Sequence, residues 1–240
     1  MNQGKEKQFV QLPNSMTNEL QPKDLLIYLY IKSYANKDTK EAFPSLETLR
    51  SDSGASINTI RSCIKRLEEA NKIHIRKEGR KNIYSFPEFD DGFEPFSYKF
   101  LDKKGLTFIE KAYLVASQQY MKKKDGEGII QYSNRKLSEI INMPESTIRN
   151  CVNSLTTKGY MDVQEYIDEF TGIQSKQKVH HLNKLEQAIV FVLKNHDTRI
   201  NKVENDIDEV KNELQIIKEL INENPDFLQK YKEKKQEIIL

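Results

Sequence analysis

The chain has no tryptophan and only two cysteines among 240 residues, and it has no apolar run of about 18 residues that would span a bilayer. Each scarcity closes off a class. Without a long apolar run there is no expected membrane span, and the first twenty residues lack the apolar stretch of a secretory leader, so a soluble, cytoplasmic protein is expected. Cys63 and Cys151 stand far apart, too few for a disulfide framework and not in a paired metal-binding spacing, so both are expected to be packing residues. The four histidines, His74, His180, His181 and His196, are scattered. No zinc-protease helix, phosphate-cradling glycine loop or nucleophile elbow accompanies them. His180 and His181 are neighbours on a strand and point to opposite faces, which argues against joint chelation. No enzyme, cofactor or metal site is expected.

Net charge is also scarce. A formal +2 on a chain that is 31% charged means that any pull on nucleic acid must come from how charge is distributed. Residues 1–87 hold 15 Lys and Arg against 10 Asp and Glu, whereas 106–181 hold 10 against 9 and 182–240 hold 10 against 12. The basic excess is N-terminal.

What is present is a repeat. Residues 46–75 align without a gap on 134–163 at an offset of 88 residues, and Thr59, Ile60, Arg61, Cys63 and Leu67 meet Thr147, Ile148, Arg149, Cys151 and Leu155. So long a period implies two copies of a small domain rather than a solenoid. Each copy opens with a helix: one starts at Pro22 and carries Leu25, Leu26, Leu29 and Tyr30, the other starts behind a Thr107/Glu110 capping box and carries Tyr113, Leu114 and Val115. Two shorter helices follow, over 45–52 and 57–70 in the first copy and 133–141 and 145–158 in the second, each pair broken by a few residues. That spacing is helix-turn-helix. The period then falls to two over 73–77 and 82–86, around Glu78-Gly79-Arg80, and over 160–166 and 176–182, around Thr171-Gly172, giving a β-hairpin each time. The Lys122–Lys124 run reads as the C-terminal end of the second copy's first helix.

With helix-turn-helix and hairpin in place twice, the chain resembles the winged-helix superfamily. The likeness is to helix-turn-helix modules of phage and plasmid replication proteins and of bacterial transcription regulators, carried by Leu46, Leu49, Gly54, Ser56, Thr59, Ile60, Arg61, Ile64, Leu67 and Ile73. The expected architecture is mainly α with small hairpin wings. It comprises a first winged-helix domain over 1–87, a linker over 88–105, a second winged-helix domain over 106–182, a coiled-coil helix over 183–224 and a charged tail over 225–240. The second copy departs from the first: Asn142 replaces Gly54, and its wing carries Asp162, Glu165, Asp168 and Glu169.

Ile60, Cys63, Ile64 and Leu67 make one apolar stripe, so the opposite face of helix 57–70 presents Asn58, Thr59, Arg61, Ser62, Lys65 and Arg66 to the major groove. Arg61 is the expected base reader. Arg76, Lys77, Arg80 and Lys81 on the first wing suit phosphates. Ser146, Thr147, Arg149, Asn150 and Asn153 form the matching face of the second copy.

Beyond it, Ile189, Leu193, His196, Ile200, Val203, Ile207, Val210, Leu214, Ile217 and Ile221 step by four and three, a heptad seam. In a parallel coil, Arg199 meets Glu204, Asp206 meets Lys211 and Glu213 meets Lys218 across the partner helices, all attractive pairs. A parallel homo-oligomer follows, with a dimer favoured for inverted half-sites. The expected partners are therefore double-stranded DNA, further copies of the chain, and transcription or replication proteins. The expected function is sequence-specific DNA binding as a transcription regulator. The alternatives are a replication initiator or replisome organiser and, third, a protein-interaction scaffold.

Overall fold

The computed structural model describes residues 9–89, 92–124, 127–167 and 174–185. The heptad seam, the charged tail, Thr171-Gly172, Asp168 and Glu169 lie outside the described residues.

The chain opens with strand β1 (Phe9–Pro13), the short helix α1 (Met16–Glu19) and helix α2 (Pro22–Ser33). Every residue from Leu25 to Ile31 is buried, the mark of a helix enclosed on all sides. Helices α3 (Leu46–Ser53) and α4 (Ile57–Glu69) pack on it, and strands β2 (His74–Glu78) and β3 (Lys81–Ser85) form an antiparallel hairpin. The second half repeats this order: α6 (Phe108–Ser117), α7 (Asn134–Ile140), α8 (Glu145–Thr157), and the hairpin β7 (Met161–Ile167) and β8 (Gln174–His181). The short helix α9 (Leu182–Leu185) follows.

Both helix pairs are set by the same local chemistry. Ser45, Ser56 and Ser133 each accept a hydrogen bond from the backbone N–H three residues on, at 3.0–3.1 Å, satisfying an otherwise orphaned donor at the first turn of α3, α4 and α7. Between α3 and α4 the chain turns at Gly54, which has φ +72°, and between α7 and α8 it turns at Asn142, with φ +50°. Asn is among the few side chains that enter the left-handed region readily. The Gly-to-Asn exchange therefore keeps the turn.

Three regions differ from the sequence expectation. Residues 88–105 are not merely a linker: strand β4 (Phe93–Ser97) pairs antiparallel with β1, Val10 opposite Phe96, and helix α5 (Tyr98–Leu101) follows. The low hydropathy of the stretch hides Phe96, Phe100 and Leu101, all of which are buried. Lys122–Lys124 do not end a helix. The helix closes in a 3₁₀ turn at Gln118–Tyr120, and the lysines form strand β5, paired with β6 (Glu127–Ile130). Lys123 is held there by Glu94 at 2.6 Å. Finally, β6 joins β8, giving a four-stranded sheet in the order β5-β6-β8-β7. The first half keeps a vestige of that pairing in the isolated bridge Ala42 to Tyr84, where the second half pairs Ile130 with Lys178.

The halves meet where α2 packs on α6. The Lys111 ammonium donates to the Tyr30 hydroxyl at 3.1 Å and to the Leu101 carbonyl, and Tyr30 donates to that carbonyl at 2.9 Å. Burial lowers the lysine's pKa. A polar knot of this kind is tolerable in a core only when its members are partnered, as these are.

Candidate nucleic-acid interface

Helix α4 carries two opposed stripes. Ile60, Cys63, Ile64 and Leu67 are buried against the core, while Asn58, Arg61, Ser62 and Lys65, at matching helical spacing, are exposed. Burial pushes the Cys63 thiol up to about 12, an inert packing residue. Thr59 is half-buried beside its cap, its hydroxyl 2.9 Å from that of Ser56. Lys65 makes a loose ion pair with Glu69 at 3.6 Å, both exposed. Arg61 has no side-chain hydrogen bond or ion pair among the described residues.

Arg66, expected on the contact face, is half-buried at its border. Its guanidinium grips Asp24 of α2 with Nε–O distances of 3.1 and 2.9 Å and Nη2–Oδ1 of 2.7 Å, and the Asp24 side chain is fully buried. The hydrogen bond to Asp24 raises the guanidinium pKa above its ordinary value. Arg66 is thus tied to the core through Asp24 while its side chain stays 36% exposed. Asp24 also accepts from the Gln21 N–H at 3.2 Å, capping α2. One carboxylate closes the first turn of the central helix and anchors α4.

The second half repeats the device. Glu110, at the same N3 position of α6, accepts from the Thr107 N–H at 2.6 Å and from Lys158, at the end of α8, at 2.8 Å through each oxygen. Burial pushes this carboxyl up, but hydrogen bonds from Lys158, Ser154 and Thr107 outweigh it and leave the pKa below the ordinary value. Neither anchor was foreseen. The available signal was an acid at N3 of a helix with no polar face, since such a charge must be buried and therefore paired.

The first hairpin turns tightly at Gly79-Arg80. Gly79 has φ +58° at the first central position, as a type II′ turn requires. Lys77, Arg80 and Lys81 are exposed and have no side-chain hydrogen bond or ion pair among the described residues. Arg76 pairs with Glu41 at 3.2 Å and Glu78 at 3.5 Å, both exposed contacts of little strength. Among the described residues these three cations have no ion pair, and they stand at or next to one tight turn.

In α8 the equivalent outward stripe is Ser146, Arg149, Asn150 and Asn153, all exposed, with Thr147 half-buried. Arg149 is held by Glu145 at 3.0 Å. On the hairpin behind it His181 faces Asp162 at 3.1 Å, while His180 is buried and stacks on Tyr113 with ring centroids 6.1 Å apart. This stripe is polar without a cationic excess.

A family model described as a helix-turn-helix domain matches residues 18–72, the stretch from α1 through α4 that contains the cationic stripe. The match supports a helix-turn-helix module over these residues. Such a domain suggests double-stranded DNA as the partner of its second helix. No curated protein matches the chain. No described helix is long and apolar enough to cross a membrane.

Proposed function

We propose that the chain binds double-stranded DNA sequence-specifically, with α4 lying in the major groove and the β2–β3 hairpin acting as a wing on the flanking phosphates. The single observation that carries this reading is the uninterrupted stripe Asn58, Arg61, Ser62 and Lys65, exposed on a helix otherwise locked to the core, followed in the chain by a hairpin that exposes Lys77, Arg80 and Lys81. Arg61 would read a base edge, since a guanidinium matches the O6 and N7 acceptors of guanine. The hairpin cations would neutralise phosphates and give binding its salt dependence.

The second half, read as a second winged-helix domain, would add a weaker and more neutral reading surface. The heptad segment from Ile189 to Ile221 would pair two chains in parallel, so that a dimer occupies inverted half-sites. The biological role proposed is that of a transcription regulator. A replication initiator or replisome organiser is the second reading, favoured by the acid-tethered Arg149 and the Asp162-bearing hairpin, which suit a protein contact better than a phosphate.

The test is selection of bound fragments from the source genome by the purified chain at two salt concentrations. An inverted motif at promoters supports the regulator. Direct repeats at an origin support the initiator. Recovery of no motif, with binding that vanishes at moderate salt, refutes sequence-specific recognition.

A further inference from the structure

The repeat runs further back than the helix-turn-helix units. Each copy is led by a strand, a short helix and a long central helix: β1, α1 and α2 in the first, β4, α5 and α6 in the second. Gln21 and Thr107 cap the two central helices, with Asp24 and Glu110 at the third helical position of each. Each strand and each central helix packs on its own counterpart, and each time the direction is reversed. β1 pairs antiparallel with β4, Phe9 opposite Ser97 and Pro13 opposite Phe93. Just ahead of α2, Asn18 accepts from the Tyr120 hydroxyl beyond the end of α6 at 3.2 Å, while Tyr30, toward the end of α2, accepts from Lys111 near the start of α6 at 3.1 Å. The cross-contacts are mutual. Thr17 of α1 bonds Gln119 in the turn that closes α6, and Tyr98 of α5 donates to the Ser33 carbonyl at the end of α2 at 3.5 Å.

A plain translation would set counterpart elements parallel, whereas a twofold axis reverses every counterpart pair and makes the cross-contacts mutual. The halves are therefore related by an approximate twofold axis that runs between β1 and β4 and between α2 and α6. Under it α4 corresponds to α8, and Thr59, Ile60 and Arg61 correspond to Thr147, Ile148 and Arg149. Faces related in this way share their component along the axis and run in opposite senses across it. Two reading helices in that relation are what a helix-turn-helix dimer brings to inverted half-sites. Here one chain holds both.

We propose that a single chain recognises an inverted pair of unlike half-sites on one DNA duplex, α4 reading one and α8 the other. This rests on the DNA reading above and specifies its target. The inversion belongs to one chain, so pairing of two chains is not needed to produce it. The half-sites differ because the two faces differ. Arg61 suits the O6 and N7 acceptors of guanine, whereas Asn150 and Asn153, exposed on α8, suit the N6 and N7 edge of adenine. Lys65, Lys77, Arg80 and Lys81 add positive charge to the first half, while in α8 Arg149 is paired with Glu145. Unlike half-sites give the bound chain one orientation. The core shared by the halves fixes their separation, expected at about 10 base pairs, one helical turn, or a multiple of it.

The experiment is selection of bound sequences from a randomised duplex library by the full-length chain in three forms: wild type, Arg61→Ala, and Asn150→Ala combined with Asn153→Ala. The substituted positions are exposed, so the variants are expected to fold, and circular dichroism checks this. The expected wild-type site has one guanine-bearing and one adenine-bearing block. Arg61→Ala should erase preference in the first block alone and the α8 double variant in the second alone, each lowering affinity for the wild-type site about tenfold. Inserting about five base pairs between the blocks turns one of them to the opposite side of the duplex and should cost at least as much. A cleavage reagent tethered through Asn58→Cys or Ser146→Cys, at the starts of α4 and α8, should cut both blocks at their inner ends or both at their outer ends. If Arg61→Ala relaxes both blocks and the α8 variant neither, the inversion comes from two chains and the proposal is overturned. A single block, tolerance of the insertion, or one inner and one outer cut overturns it equally. Recovery of no motif by wild type refutes the DNA reading itself, and this proposal with it.

Discussion

Arg61 and Arg66 lie on the same helix and face opposite ways, one into solvent without a hydrogen bond or ion pair among the described residues and the other onto a fully buried carboxylate. Breaking that pair from the acid side leaves a guanidinium without its partner at the root of α4. Asp24→Asn is therefore expected to cost about 1–2 kcal/mol in urea unfolding, less than a fully buried pair because the Arg66 side chain is 36% exposed and can be hydrated. Burial of α4's apolar stripe was legible in the sequence, because a period of 3.6 places Ile60, Cys63, Ile64 and Leu67 together. The fate of Arg66 was not. A cation at the border of a stripe goes inward only if another element supplies a buried acid, and here that acid is 42 residues away along the chain. His180 gives a second prediction at this scale. Burial lowers its pKa to about 4 from an ordinary 6.5, so the folded state keeps it neutral while the unfolded chain protonates. Its contribution is fully present above about pH 6.5 and is lost as pH falls toward 4. Stability should drop by about 2 kcal/mol from this group between pH 7.5 and pH 5. That fraction of the acid sensitivity should be absent from His180→Phe in parallel urea titrations.

Among the elements, the helix-turn-helix corner shows how one chain solves the same turn twice. Gly54 and Asn142 both hold positive φ. Gly54→Ala should lower stability by about 1 kcal/mol, and Gly54→Asn by less, measured as shifts in the unfolding midpoint. The first hairpin predicts a different signature. Arg80→Ala combined with Lys81→Ala should weaken binding to all DNA alike and reduce the salt slope by about 2, read from titrations across salt concentrations. Both helix pairs and both hairpins were visible in the sequence within a residue or two, because periodicity, capping serines and turn residues agree there. The pairing of β1 with β4 was not visible, since its strands are separated by most of the first half and β4 lies in an acidic, proline-bearing stretch. Strands β5 and β6 escaped for another reason: three lysines and a glycine carry no alternation, and the strand is held by partners on β8 that no local window contains.

At the scale of the whole molecule, the two halves share an offset of 88 residues, a buried N3 acid clamp and a helix–turn–helix–hairpin order, yet their outward faces have diverged. The first exposes Arg61 and Lys65 on α4 and Lys77, Arg80 and Lys81 on the first hairpin. The second ties Arg149 of α8 to Glu145. That contrast supports the proposal that the first half carries the DNA-binding face, which is the central claim. The most direct test is to methylate guanine N7 in a selected site and ask which modified positions are excluded from the bound fraction. Those atoms lie in the major groove. If α4 reads the groove through Arg61, one or more guanines interfere with wild-type binding. Arg61→Ala should then lose about tenfold or more in affinity for the selected site, little for random DNA, and the interference at one of those guanines. Absence of any guanine interference on guanine-bearing sites, or equal losses on selected and random DNA, would contradict the account.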